Sequence, residues 1–343
     1  MTRESPREFP FDGNSLGGGR FDHLGARPPP EQHTLTFDEH PVAGRVDTGV
    51  VDEDGQLPPA ANSLSMIETG RAVMAICANA VICEGEPMNS AHRQLDHTLR
   101  FDWGRIGAEA IAADADVAVV VDVLSFTTTL SVAADLGVEV LPYRWRDESA
   151  GRFAREREAV LAVGRRAAGP GQVSLSPATV RAATDLRRLV LPSPNGSTIA
   201  YALADHSTCV GASLRNARAV ADWITAEYPA GTTISVVAAG EHWPDGTLRP
   251  AVEDLWGAGA VLAELRRSHS GASLSPEAEM AVTAWQSVSG SVESALRHCA
   301  SGRELIEIGY LCDVLVAAEI DRSRSVPVLD ATGAFVNRAE SPG

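Results

Sequence analysis

Val117-Ala-Val-Val-Val121-Asp122-Val-Leu-Ser125-Phe-Thr127-Thr128-Thr129 is the stretch whose reading decides the fold. A continuous run of mostly β-branched residues, with no polar alternation, is the pattern of a strand buried on both faces. Asp122 follows the run, then a Ser/Thr-rich turn, then Leu130 to Leu136 in helix-compatible spacing stopped by Gly137. The same alternation continues outward. Val138 to Leu141 reads as a strand, Glu148 to Val160 as a charged amphipathic helix, and Ala159 to Val163 as a short strand. Arg188 to Leu191 is another strand, followed by the turn Pro192-Ser-Pro-Asn-Gly-Ser197 and a helix to about Leu203. Thr208 to Val210 leads into the helix Ala217 to Glu227, and Thr233 to Ala239 into the helix Ala251 to Arg267. Alternating strands and helices predict an α/β fold with a largely parallel sheet flanked by helices. After Ser275 the chain reads as helical, with Ser275-Pro-Glu as a start signal and Ser301-Gly-Arg-Glu304 spaced as a capping box. This helical C-terminal part belongs to a single catalytic domain over residues 88–335.

Residues 1–87 differ in kind. They hold 14 Asp+Glu against 6 Arg and 9 of the 20 prolines, so half of the net charge of -16 lies in a quarter of the chain. Apart from a short segment at Ala72 to Cys83, the stretch lacks the apolar periodicity that would offset chain entropy. Two readings stand: a disordered extension, or sequence ahead of a natural start at Met88.

All 29 basic residues are Arg and none is Lys. That excludes Schiff-base, pyridoxal phosphate, Walker A and protein kinase chemistry, each of which needs a Lys ammonium. The acidic balance argues against nucleic acid as a partner. No apolar run is long enough to span a membrane. Five cysteines without a C-x-x-C pair suit free thiols in a reducing cytoplasm.

Polar residues fall after the strands: Asp122, Ser125, Thr127 and Thr128; Ser193, Asn195 and Ser197; Ser213, Arg215 and Asn216; Glu241 and His242. In an open parallel sheet these carboxyl ends share one edge, where ligands bind. Asn195-Gly-Ser-Thr198 at a helix start reads as an anion cradle or as an ordinary capped turn. Asp122 leaving a buried strand calls for a cation or a pairing group. Glu253 and Asp254 lie in a first helical turn, where acids also simply complement the dipole, and only one of the two is expected to be a direct ligand. Gly257 and Gly259 mark a close approach on that helix. Carboxylates without clustered His or Cys suit a hard cation such as Mg²⁺, and a hard cation beside an anion cradle suggests phosphoryl chemistry.

Val119-Val-Val-Asp122-Val-Leu-Ser-Phe-Thr-Thr-Thr129, Ser193-Pro-Asn-Gly-Ser197, Val237-Ala-Ala-Gly-Glu241, Glu253-Asp-Leu-Trp-Gly-Ala-Gly-Ala260 and Ser301-Gly-Arg-Glu-Leu, then Asp313, Asp321 and Val326-Pro327, stand in the order of the 2-phosphosulfolactate phosphatase family, which the chain resembles from about Phe101 to Leu329. The resemblance implies a Mg²⁺-dependent phosphatase that releases sulfolactate on the way to coenzyme M. Ser125 departs from it, since the family usually places Arg there, and Glu241 stands where Thr or Ser is commoner; Arg215 or Arg303 could supply the missing cation in space. Asp122, Asn195 and Glu241 are the expected catalytic residues; Asp122 with Glu253 or Asp254 would hold Mg²⁺. Thr127, Thr128, Ser197, Arg215 and Asn216 are the expected contacts to a small anionic phosphorylated substrate. The Asp-x-Asp-x-Thr nucleophile of haloacid dehalogenases is absent at 122–126. The alternatives are a hydrolase of a different phosphorylated acid and a non-catalytic anion-binding module. A homodimer is expected on general grounds.

Overall fold

The computed structural model describes residues 89–145 and 147–339, and the backbone of two strands further upstream. Those strands, β1 (Met74–Cys77) and β2 (Ala80–Cys83), pair antiparallel within the segment singled out at Ala72 to Cys83. The rest of the extension read at 1–87 lies outside the described residues.

The body of the fold opens with β3 (Leu99–Trp103) and α1 (Gly104–Ala112), then β4 (Val117–Val121), α2 (Phe126–Asp135), β5 (Glu139–Tyr143), α3 (Glu148–Glu156), β6 (Val160–Leu161) and α4 (Pro177–Arg181). It continues with β7 (Arg188–Pro192), α5 (Gly196–Leu203), β8 (Thr208–Ala212), α6 (Ala217–Glu227) and β9 (Ile234–Ala238). A hairpin of β10 (Glu241–His242) and β11 (Leu248–Arg249) precedes α7 (Val252–Ser268). The C-terminal part holds α8 (Pro276–Val288), α9 (Val292–His298), α10 (Ala300–Glu307) and α11 (Leu311–Ala317), then β12 (Pro327–Leu329) and β13 (Phe335–Asn337).

The α/β class with a helical C-terminal part is as expected, and β4 is buried along its whole length. Burying each of its Val side chains contributes about 1.5–3 kcal/mol relative to exposure. The sheet has nine strands in the order β3-β9-β4-β8-β12-β13-β5-β7-β6. Two parallel blocks, β3-β9-β4-β8 and β5-β7-β6, are joined by the β12–β13 hairpin through antiparallel pairing on both sides. The two blocks therefore run in opposite senses along the sheet, which departs from a single shared edge of carboxyl ends. Helices α2 and α5 pack against strands of both blocks, and the ends of β4 and β7 meet where Asp122 accepts from the Gly196 N–H.

Several elements differ from the sequence reading. The edge strand β3 carries the alternation Leu99-Arg-Phe-Asp-Trp103 of a half-covered strand, a weaker signal than the apolar run of β4. β12 and β13 lie beyond the strands read from the sequence, because three-residue strands are too short to show periodicity. Ser275 caps α8 as expected, its Oγ accepting from the Ala278 N–H at 3.1 Å. Ser301 does not cap α10. Cys299 does, its Sγ accepting from the Gly302 N–H at 3.3 Å. Gly257 and Gly259 do mark close approaches. A Cβ on Gly257 would lie 2.7 Å from Val121 and Val123, and one on Gly259 2.0 Å from the Ala281 carbonyl oxygen. The first glycine lets α7 rest on the end of β4, and the second lets α8 rest on α7.

Candidate active site

Asp122 leaves β4 between two helix starts. Its Oδ1 accepts from the Phe126 N–H at 3.0 Å and its Oδ2 from the Gly196 N–H at 3.2 Å. One carboxylate thus caps α2 and α5 together, which suits an anion at two helix N-termini. The carboxylate is buried, with 6% residual exposure. The hydroxyls around it are turned to the backbone. Thr127 Oγ1 donates to the Asp122 carbonyl at 2.8 Å and accepts from the Asp122 N–H at 2.9 Å. Thr128 Oγ1 donates to the Val123 carbonyl at 2.8 Å, and Ser197 Oγ to the Leu191 carbonyl at 3.2 Å. These side chains brace the strand-to-helix turns.

Three further carboxylates lie near enough for their charges to act on Asp122 or on one another. Asp254, in the first turn of α7, accepts from the Val123 N–H at 2.7 Å and the Gly240 N–H at 2.9 Å, tying the ends of β4 and β9 to the helix. Glu253 beside it is equally buried. Glu241 on β10 accepts from Asn195 Nδ2 at 2.9 Å, and Asn195 Oδ1 pairs with His242 Nδ1 at 2.9 Å. Burial above all, reinforced by the charge of Asp122, pushes the Glu241 carboxyl up to about 7. Burial raises Asp122 to about 6, against the N–H groups of Phe126 and Gly196 and the Arg165 guanidinium, with the Glu253 charge adding to the rise. Asp254 is held well above its ordinary range by burial and then by Asp122 and Glu253. Acids whose charges reach one another in this way repel unless protons or a cation intervene.

Facing them is Arg165, in the loop after β6. Its Nε donates to Asp313 at 2.8 Å and its Nη2 to Ser125 Oγ at 2.5 Å, while its guanidinium carbon lies 5.7 Å from the centre of the Tyr310 ring. Asp313 is fully buried and also accepts from Ser176 Oγ. A cavity of about 150 Å³ opens here, walled by Asp122, Ser125, Arg165, Ser193, Asn195 and Glu241.

The structure thus gathers Asp122, Asn195, Glu241, Glu253 and Asp254, and sends Arg215 and Asn216 elsewhere. Arg215 donates to Ser131 at 2.7 Å and to Asp135 and Glu319 at 3.1 Å, so its guanidinium is spent on buried ion pairs. Asn216 bonds the Ser213 N–H and the carbonyls of Gly211 and Ser325. Arg303 is exposed on α10. The cation beside Ser125 is Arg165, which the sequence reading passed over. Its signal was positional: it follows the short strand β6, one more strand end of the kind that carries the other site residues.

Among the described residues no three His, Cys, Asp or Glu side chains converge on one point as a ready metal cage. The donor set still fits a hard cation that keeps most of its waters, because Mg²⁺ is commonly held by one or two carboxylates together with substrate phosphate. No helix among the described residues is long and apolar enough to cross a membrane.

Fold and site together define an α/β enzyme with a buried acidic cluster and one facing Arg, an arrangement suited to a small phosphorylated substrate. Residues 107–332 match the family model of 2-phosphosulpholactate phosphatase, and the chain belongs to that family, a family of phosphoric monoester hydrolases. It is 30% identical over 233 residues to a probable 2-phosphosulfolactate phosphatase of Parasynechococcus marenigrum, a match covering 64% of this chain and 92% of the relative. A protein of the same description from Deinococcus radiodurans is 33% identical over 219 residues, covering 62% and 88%.

Proposed function

We propose that the protein hydrolyses a phosphate monoester of a small acid with the help of Mg²⁺, with 2-phosphosulfolactate as the first candidate substrate and sulfolactate and phosphate as products. The observation that carries this reading is that Asp122, Glu241 and Arg165 line one small cavity, with the buried Glu253 and Asp254 near Asp122. Asp122, with Glu253 or Asp254 beside it, would hold the cation; each Asp122 oxygen accepts one backbone N–H bond and keeps a second lone pair for a cation. When bound, Mg²⁺ would supply Lewis-acid stabilisation of charge on the phosphoryl oxygens. Arg165 pairs with the substrate's anion, held in position by Asp313 and Ser176. Asn195 orients Glu241 toward the cavity, where its carboxyl delivers the proton that the leaving oxygen needs. A cytoplasmic setting belongs to the same reading, supported by the buried free thiols Cys209 and Cys299.

The test is phosphate release from 2-phosphosulfolactate and 2-phospholactate in the presence of Mg²⁺ or EDTA, for the wild type and Asp122→Asn. Release is expected with Mg²⁺ only, and the variant is expected to lose about 10²–10³-fold in kcat. Undiminished turnover by Asp122→Asn would remove this carboxylate from the mechanism. No turnover, combined with thermal stabilisation by the phosphorylated acids, would favour an anion-binding module.

A further inference from the structure

Next to the acidic cavity lies a second and larger one, of about 380 Å³, and Pro194 and Asn195 line both. The first is polar and small. At about 30 Å³ per water it holds the equivalent of about five waters, enough for a phosphoryl group and a short acid but little more. The second falls in the size range of sites that bury a whole organic ligand. Its sides are mainly apolar, with Trp103, Ile106, Ile199 and Leu248, and carry Arg105, Thr198 and His242 among them. Asn195 lines both, with Nδ2 bonded to Glu241 in the first cavity and Oδ1 paired with His242 in the second.

The apolar wall is a built feature. Leu248 on β11 is seated against Gly104 and Gly240, both in the left-handed region at φ 61° and 66°. A Cβ on Gly240 would come 2.8 Å from Leu248 Cδ1, and one on Gly104 3.1 Å from the same atom. Two strained-for-others backbone positions thus make room for one leucine. Despite that seat, Leu248 remains 39% exposed and Ile106 across from it 59%. Single exposed apolar side chains need no explanation. Here, however, they face each other across a concave space that opens beside the reacting centre.

We propose that this second cavity receives an apolar, ring-sized body on the alcohol part of the substrate. The preferred substrate is then the phosphate monoester of a hydroxy acid with an aromatic or branched apolar side chain. The proposal rests on the phosphatase reading for the chemistry. Water adds to phosphorus as the ester P–O bond breaks, and the leaving oxygen takes a proton, giving the hydroxy acid and inorganic phosphate. Ser125 accords with it. An Arg at that position would have brought a second cation beside Arg165, whereas this chain invests in apolar surface on the other side of Asn195.

The test compares 2-phospholactate with 2-phospho-3-phenyllactate, which differ by one phenyl ring, in phosphate release with Mg²⁺. The full-length wild type and Ile106→Trp are used, and calorimetric titration with 3-phenyllactate runs alongside. Ile106 is exposed on α1, so Trp there narrows the cavity from its rim without touching the core. The wild type is expected to favour the phenyl ester at least tenfold in kcat/KM, and Ile106→Trp to cut that preference about tenfold. Equal or poorer use of the phenyl ester, or a preference unmoved by Ile106→Trp, overturns the proposal. If neither ester is hydrolysed, the phosphatase reading fails on its own. The cavity assignment then stands only if 3-phenyllactate binds the wild type and binds Ile106→Trp more weakly, and falls if it does not bind.

Discussion

Arg165 and Arg215 show how differently two guanidiniums in one molecule are used. Arg215 is buried and held by Asp135, Glu319 and Ser131, away from the cavity that Asp122 lines. Arg165 has one side on Asp313 and the other on Ser125 at the cavity wall. A Lys-free chain has only Arg for such duty, and a planar fork can hold a carboxylate and still present donors to an anion. Replacing Arg165 by Ala is expected to lower kcat/KM for phosphate release by about 10²–10³-fold. It should also lower stability by about 3 kcal/mol, because Asp313 is left buried without its partner; the low end of the range applies since the Arg165 side chain keeps 17% exposure. Combining Arg165→Ala with Asp313→Asn separates the two effects. Urea denaturation should recover most of the stability while phosphate release stays low. Recovery of activity in the double variant would show that Arg165 acts only through the fold.

At the scale of elements, the strand-to-helix junctions explain why so many polar residues cluster without all serving a ligand. Thr127 and Ser197 were legible as site candidates from position alone, yet each hydroxyl bonds a carbonyl five or six residues earlier in its own turn. A hydroxyl satisfied so near in sequence wins over a distant ligand, because little chain has to be ordered for it. Other junctions are held from outside. Glu319, after α11, accepts from both Nη atoms of Arg181 on α4 at 2.7 Å and from Arg215 at 3.1 Å. These guanidiniums, Arg181 foremost, hold its carboxyl below its ordinary 4.5. A carboxyl depressed on folding stabilises the fold above its unfolded pKa, and the stabilisation fades as pH falls through the folded value. Glu319→Gln should therefore lower Tm at pH 7, and the gap to wild type should close as the pH is taken well below 4.5. A gap that persists in acid would assign the loss to packing instead.

For the whole molecule, the decisive feature is the β12–β13 hairpin that joins the two parallel blocks. Phe335 on β13 is 2% exposed and meets Phe126 of α2 edge-on, with ring centroids 6.1 Å apart. Phe126 in turn lies against Gly196, where any Cβ would be 2.2 Å from its ring, so the C-terminal hairpin supports the two helix starts that share Asp122. Phe335→Ala should cost about 3–5 kcal/mol in urea denaturation, with phosphate release falling before global unfolding. A loss under 1 kcal/mol would mean that the blocks are held together without the hairpin.

The α/β class, the buried strand at Val117–Val121 and the acidic pair at the start of α7 were readable from residue order, because strand and helix periodicity is set by local backbone geometry and burial. Asp122, Asn195 and Glu241 were readable for the same reason, as polar residues placed just past apolar runs. Tertiary structure alone decided the rest. It put Arg165 rather than Arg215 at the cavity, inserted β12 and β13 between two oppositely directed blocks, brought the ends of β4 and β7 together, and opened a largely apolar cavity beside Asn195. Each of these depends on contacts between residues far apart in the chain, and no local pattern encodes which distant carboxylate a given guanidinium will meet.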